Sequence, residues 1–368
     1  VGDWAKNDLK QRADGNIVIS NEDACGIASG DACLLFHADL LRSSPPVLPR
    51  FNGVFRVKFS WLKFFEWPKA EAAAGGVERP RSMSAADRLF FVAKRFVAGN
   101  TIASALEVVR SLNDGGLTAT LDFLGEDVTD PAEAERTRAT YVELLAQIER
   151  AGLRTNVSVK LTALGLLVDA DRCARLLGDI VERAAVLADP FVRIDMEGSS
   201  VTEATLRIFE RVFAEHPNVG PVIQAYLKRS PADIERAIEL GARVRLCKGA
   251  YREPARLALQ GAPAIRQAYL RMAEALLSRG TYPALATHDE RLIEAAKSYA
   301  AGRGIARGRF EFQFLYGVRP DLQRALCRDG YNVRVYVPFG THWSAYFYRR
   351  VTERKENALF ALRALLGG

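Results

Sequence analysis

No uninterrupted apolar run in the chain is long enough to span a bilayer, and the N-terminal residues lack the basic-then-apolar order of a signal peptide. These gaps set the expectation of an intracellular, cytoplasmic protein. Cysteine is scarce and odd in number. Cys25, Cys33, Cys173, Cys247 and Cys327 are far apart and include no CxxC pair, so free thiols in a reducing compartment are expected. The histidines His37, His216, His288 and His342 are isolated, without the paired spacing of a zinc enzyme. No metal is expected, because the candidate carboxylates share their strands' ends with lysine and arginine, which compete with a cation. A Walker loop and a Gly-x-Ser-x-Gly elbow are also missing.

What remains is a globular composition of 368 residues, 49% hydrophobic, enough to bury a large core as one big domain or two ordinary ones. Lysine and arginine exceed aspartate and glutamate by 51 to 44, a net charge of +7. Such an excess attracts anionic ligands, membrane surfaces or nucleic acids. The basic residues are scattered among acids, without the signature of a nucleic-acid module, so no nucleic-acid partner is expected.

The composition changes near Ala70 to Pro80, the one candidate linker, and the chain is read as an N-terminal extension of uncertain fold (1–84) followed by one domain (85–368). Within the extension, Arg50 to Trp67 interleaves seven aromatic rings with Arg50, Arg56, Lys58 and Lys63. That mixture suits a peripheral membrane contact, with rings at the headgroup level, but without a clear helical moment it better suits a strand or two packed on the main domain or an extension with no role.

From Ala85 the pattern is regular. Ala86 to Leu112 reads as one helix, and thereafter β-rich runs alternate with amphipathic helical segments. The runs are Leu117 to Leu124, Asn156 to Leu161, Phe191 to Met196, Pro221 to Tyr226, Arg243 to Lys248, Pro283 to Thr287, Phe310 to Leu315 and Asn332 to Val337. Eight strands separated by helices and followed by a last one give an α/β fold, a (β/α)8 TIM-type barrel. A doubly wound sheet would place a glycine-rich fingerprint after the first strand, and Asp122 to Glu126 holds a single glycine.

Barrel enzymes carry their chemistry at the C-terminal ends of the strands. The residues at or near those ends are polar: Asp122, Glu126, Lys160, Asp195, Glu197, Gln224, Arg245, Lys248, Thr287, His288, Glu311, Gln313 and Tyr336. Any one of them has a dull explanation, but so many buried polar groups without a ligand would be costly. Beyond the last strand, Tyr346, Arg349, Arg350 and Glu353 share one face of a helix that Thr341 can cap and Gly367 can stop. Two adjacent guanidinium forks suit a carboxylate or phosphate, although Arg-Arg with a following glutamate is also what a solvated helix face shows.

Several of these stretches, in order, resemble one family. Leu124-Gly125-Glu126, Val157-Ser158-Val159-Lys160-Leu161, Ile194-Asp195-Met196-Glu197, Gln224-Ala225-Tyr226, Arg245 through Tyr251, Ala286-Thr287-His288-Asp289, Phe310-Glu311-Phe312-Gln313 and Val335-Tyr336-Val337-Pro338 precede Tyr346 to Glu353. The series resembles proline dehydrogenase, the FAD-dependent barrel enzyme that oxidises L-proline to Δ1-pyrroline-5-carboxylate, in its monofunctional bacterial form. The resemblance covers roughly Ala85 to Leu366 and places the eighth helix over the strand ends.

It implies that Arg349, Arg350 and Lys160 clamp the proline carboxylate, that Tyr336, Tyr346 and Leu315 pack around the ring, and that Asp122 and Asp195 brace the cations. Glu126 and Arg349 would form a gating ion pair. Gln224, Arg245, Lys248, Gly249, Ala250, Thr287, His288 and Glu353 would hold the flavin. A tyrosine at Tyr336 implies a preference for proline over hydroxyproline. A membrane quinone as electron acceptor would give Arg50 to Trp67 a peripheral role at the inner face of the plasma membrane.

Two other readings use the same residues. A Schiff-base aldolase would employ Lys160 or Lys248 on a barrel, and a non-catalytic membrane or nucleic-acid binder would account for the positive charge alone.

Overall fold

The computed structural model describes residues 94–343 and Tyr346. Residues 1–93, which include the expected extension and the Arg50 to Trp67 segment, lie outside the described residues, as do Arg349, Arg350 and Glu353.

The first helix, α1 (Ile102–Asp114), starts where the local chemistry demands it. Gly99 has a φ of 95°, a conformation that breaks a helix, and Thr101 then accepts from the Ser104 N–H while Ser104 answers in a capping box. The single helix expected over Ala86 to Leu112 is therefore corrected at its N-terminal side, because Gly99 and the Thr101 cap lie inside that stretch. Its last turns are as expected.

The alternation that follows is β1 (Thr118–Phe123), α2 (Pro131–Ala151), β2 (Thr155–Val159), α3 (Ala170–Ala184), β3 (Val192–Ile194) and α4 (Ser199–Glu215). It continues through β4 (Val219–Gln224), α5 (Ser230–Glu239), β5 (Arg245–Cys247), α6 (Ala262–Arg279), β6 (Ala284–Ala286), α7 (Glu290–Gly302), β7 (Glu311–Leu315), α8 (Pro320–Arg328) and β8 (Asn332–Phe339). Each strand pairs in parallel with its neighbours, and β8 closes on β1 from Thr118↔Arg334 to Phe123↔Phe339. The (β/α)8 barrel is observed.

The period of two divides each strand between two environments. Leu121, Val157, Val192, Leu246, Leu285 and Phe312 face outward into the layer beneath the helices and are fully buried. Helix α2 meets that layer with Leu144, Leu145 and Ile148, each contributing about 1.5–3 kcal/mol by burial. The same helix shows why these segments start and stop where they do: Asp130 caps it, Pro131 occupies its first turn, and Gly152 ends it at a φ of 59°.

The inward positions hold the polar side chains of the strands, interspersed with small or apolar ones. Asp122, Ser158, Arg193 and Gly220 are in register across β1 to β4, and Val222, Arg245, Ala284, Glu311 and Asn332 across β4 to β8. Gly220 is required there: a Cβ would collide with the Arg243 carbonyl, the Phe191 ring and the Arg193 guanidinium. Glu311, expected at a strand's C-terminal end, is the first residue of β7 and lies toward the opposite end of the barrel, bonded to Arg334 at 3.0 Å. Among the described residues no helix is long and apolar enough to cross a membrane.

Candidate active site

At the C-terminal mouth, side chains from five strands form one connected set. The Lys160 ammonium, just past β2, donates to both carboxylate oxygens of Asp122 in β1, at 2.8 and 2.7 Å. Asp195, just past β3, accepts from the Ser158 hydroxyl at 2.6 Å and from an Arg245 Nη at 2.7 Å through one oxygen. Its other oxygen accepts from the Tyr336 hydroxyl at 2.7 Å and lies 3.9 Å from the Lys160 ammonium. The Arg245 guanidinium also lies 5.4 Å from the centre of the Tyr336 ring. Leu315 is the register partner of Tyr336, so the two sit side by side at the rim.

Burial works against both charges of the Asp122–Lys160 pair, pushing the carboxyl up and the ammonium down. For Lys160 the carboxylates of Asp122, Asp195 and Glu197 outweigh burial and hold it protonated, above the usual lysine range. A Schiff-base lysine must be neutral to attack a carbonyl, so this environment does not suit Lys160 as the lysine of the aldolase reading. Burial, with Asp122 and Asp195 adding to it, holds the Tyr336 phenol far above its ordinary range, and it acts as a hydrogen-bond donor.

Two aspartates and two cations balance within this set. Lys160 and Arg245 alone therefore leave little surplus charge for an anionic substrate, and the further cations the sequence supplies, Arg349 and Arg350, lie outside the described residues. Tyr346 is described and buried. Glu126 is half-buried in the loop after β1, close enough to Glu197 to help raise the latter's pKa. Its proposed partner Arg349 is again outside.

On the neighbouring sector, Gln224 at the end of β4 donates to the Glu197 carbonyl at 2.9 Å and accepts from the Ala250 N–H at 3.4 Å. Gly249 adopts a φ of 112°, and a Cβ there would enter the Tyr226 ring. Lys248 is partly exposed and pairs with Asp289 at 2.7 Å. Thr287 accepts from the Asp289 N–H at 3.2 Å, and Nε2 of His288 accepts from the Leu315 N–H at 3.0 Å, so that nitrogen carries no proton.

Two members of the site, Ser158 and Asp289, were not among the expected functional residues, and a third, Glu197, was expected at a strand end but given no role. Ser158 couples Asp195 to Arg245, which approaches its hydroxyl at 3.2 Å. Glu197 is buried, bound to the Thr162 N–H at 3.2 Å and to the Thr162 hydroxyl, and burial raises its carboxyl above the usual range against those bonds. Asp289 holds Lys248 and caps α7. Of the two missed residues, Ser158 had a signal in the strand pattern: it stands two residues before Lys160 and so faces the same way.

Comparison with known proteins gives a consistent picture. A family model described as proline dehydrogenase matches residues 105–363. Proline dehydrogenase 1 of Bacillus subtilis (strain 168) is 40% identical over 274 residues, covering 74% of this chain and 90% of the relative. Proline dehydrogenase of Deinococcus radiodurans is 36% identical over 301 residues, covering 79% and 96%. Among solved structures, proline utilization A from Bdellovibrio bacteriovorus, inactivated by N-propargylglycine, superposes with a TM-score of 0.65 at 29% identity, over 71% of this chain. The match spans 32% of that larger protein, about a third of its length.

Proposed function

Because the chain belongs to the proline dehydrogenase family and oxidises proline, we propose that it does so as a flavoenzyme, yielding Δ1-pyrroline-5-carboxylate with FAD as the hydride acceptor. The observation that carries this reading is Arg245. Its Nη is fixed on Asp195 at 2.7 Å and approaches the Ser158 hydroxyl at 3.2 Å, which holds a permanent cation among the strand ends, while its Nε is buried without a partner. The groups around it suit a large polar cofactor. Gly249 makes the turn after β5 at a positive φ with its Cα packed against the Tyr226 ring, and Gln224, Lys248, Ala250, Thr287 and His288 supply donors and acceptors along one sector of the rim. The family resemblance adds Glu353, which lies outside the described residues.

A bound flavin supplies the acceptor for the hydride. The chain's own residues bind, orient and exclude water. Arg349, Arg350 and Lys160 hold the proline carboxylate, with Asp122 keeping Lys160 ionised through its bidentate contact. Tyr336, Tyr346 and Leu315 enclose the ring, and Glu126 with Arg349 closes over it. Oxidation removes a hydride from the carbon beside the ring nitrogen while the nitrogen lone pair forms the C=N bond, so the amine must first lose its proton. Turnover then rises with pH through a substrate-linked ionisation.

The electron acceptor of the reduced enzyme is a membrane quinone in this reading. Cytoplasmic protein reaches the inner face of the membrane through Arg50 to Trp67, where aromatic and basic residues are interleaved. Colour provides the test. The purified protein is expected to be yellow and to bleach on addition of L-proline. A colourless protein that takes up no FAD on reconstitution would overturn the flavin reading.

A further inference from the structure

The connection between β5 and α6 runs from Lys248 to Gly261, long for a barrel loop, and it begins with Lys248, Gly249 and Ala250. Its far half is anchored on the stretch after β4: Leu227 bridges to Ala258, the Lys228 N–H donates to the Leu257 carbonyl at 2.9 Å, and the Leu259 N–H donates to the Tyr226 carbonyl at 2.7 Å. Its near half meets β4 and the stretch after it through the Tyr226 N–H, which donates to the Lys248 carbonyl at 3.0 Å, and through the 3.4 Å contact between the Ala250 N–H and Gln224. Between the two lies Glu253.

The Glu253 carboxylate reaches across to the first turn of α4. One oxygen accepts from the Ser199 N–H at 2.7 Å and the other from the Ser199 hydroxyl at 2.5 Å. Helix α4 has Gly198 at its cap position, which offers no side chain, so a carboxylate from 54 residues away performs the capping. Both bonds are charge-assisted, and the carboxylate sits at the positive end of the helix dipole. The two loops joined in this way are those that carry Asp195 and Glu197 on one side and Lys248 to Ala250 on the other. Gln224 makes a second, parallel link between them, to the Glu197 carbonyl at 2.9 Å and to Ala250.

We infer that Glu253 is a positioning residue: it latches the near half of the β5–α6 loop to the N-terminus of α4 and so sets the backbone of Lys248 to Ala250 for the flavin. The inference rests on the flavin reading for its purpose, but the latch itself is a property of the chain. It differs from a loop tether of purely structural value, which would leave cofactor affinity unchanged because the bridge at Leu227 already secures the far half.

The test uses Glu253→Ala, Glu253→Gln and Ser199→Ala, each followed by amide hydrogen exchange over 248–261 and by flavin dissociation measured from fluorescence on dilution. Exchange at the near half of the loop is expected to accelerate in Glu253→Ala, and the flavin dissociation constant to rise about tenfold, as loss of a charge-assisted pair of bonds implies. Glu253→Gln, which keeps an acceptor but not the charge, and Ser199→Ala, which removes one bond, should fall between Glu253→Ala and the parent and remain folded if Glu253→Ala does not. Unchanged exchange in these variants overturns the latch. Faster exchange with unchanged flavin affinity overturns its positioning role. Faster exchange in a protein that binds no flavin at all overturns the flavin reading while leaving the latch in place.

Discussion

At the C-terminal mouth of the barrel, Asp195 touches Ser158, Arg245, Tyr336 and Lys160, whereas toward the opposite end Glu311 touches Arg334, Gln313 and Tyr282. Both are acidic groups in a barrel interior, yet their surroundings do different things. The Glu311 end is knit to itself: Arg334 spends its donors on Glu311, on Asp189 at 2.7 Å and on the Ala119 carbonyl at 2.7 Å, and although burial pushes Glu311 up, Arg334 and Gln313 hold its pKa below the usual range. At the mouth, Arg245 retains a buried Nε without a partner, and burial lifts Glu197 above its usual range. The lower end is not perfectly closed, since Asn156 and Gln313 each keep one unpartnered acceptor, Arg243 keeps a buried Nε without a partner between the rings of Phe191 and Tyr282, and Arg193 rests on the carbonyls of Pro221 and Arg243 and the ring of Phe191 in place of a carboxylate. Its charges are nonetheless mostly turned on one another. A network closed in this sense stabilises the fold, and one left open at the mouth keeps capacity for a ligand.

The sharpest way to break that contrast is Arg334→Met. Removing the cation strands Glu311 and Asp189, and unfolding free energy should fall by about 3–5 kcal/mol in denaturant titration, the cost of breaking a buried pair. Folded enzyme that survives should keep kcat/KM within about threefold of the parent, because nothing in the mouth touches Arg334. The converse substitution is Asp195→Asn. Arg245, Ser158 and Tyr336 lose a common acceptor charge, and kcat/KM should fall about 100-fold, with a smaller loss of stability than Arg334→Met. If Asp195→Asn costs more stability than activity, the division between the two ends is wrong.

The same contrast bears on what the sequence could reveal. The strands were legible because period-two alternation survives in the buried outer face, and α7 matches its expected span from Glu290 to Gly302 to the residue. The overlong first helix arose because Gly99 sits within an otherwise helical pattern and its positive φ is set by the tertiary fold. Glu311 was grouped with the mouth because β7 and β8 are staggered in a closed barrel, and stagger is fixed by register, here Glu311↔Asn332, which no single strand encodes. The partners of Ser158 and Glu253 lie 37 and 54 residues away, so each reads locally as an ordinary polar residue. The carboxylates and cations of the mouth were visible by type and place; their pairings were not.

A smaller effect concerns selectivity at Tyr336. Its hydroxyl is held by Asp195 and its backbone is in register with Leu315, so the ring occupies one wall of the mouth with little freedom to move aside. The parent enzyme should favour proline over trans-4-hydroxyproline by at least about tenfold in kcat/KM, and Tyr336→Ser should narrow that ratio by opening the wall while also lowering turnover of proline. Equal use of both substrates by the parent would remove Tyr336 from the specificity argument and leave it only as a donor to Asp195.

The smallest expected effect separates the two ends by pH alone. Glu311 has a folded pKa below its unfolded value of about 4.5, so its contribution to stability is present above that pH and is lost as pH falls through the lower, folded value. Glu197 has a folded pKa above its unfolded value, so its contribution is present below about pH 4.5 and is lost as pH rises through the raised value. Each pKa unit of difference corresponds to about 1.4 kcal/mol. Thermal midpoints measured between about pH 3 and 7 should therefore fall less steeply on acidification in Glu311→Gln than in the parent, and the slopes of Glu197→Gln should change in the opposite sense. If both variants shift in the same direction, the carboxylates at the mouth and at the base experience the same kind of surroundings, and the open network at the mouth must be sought in Arg245 alone.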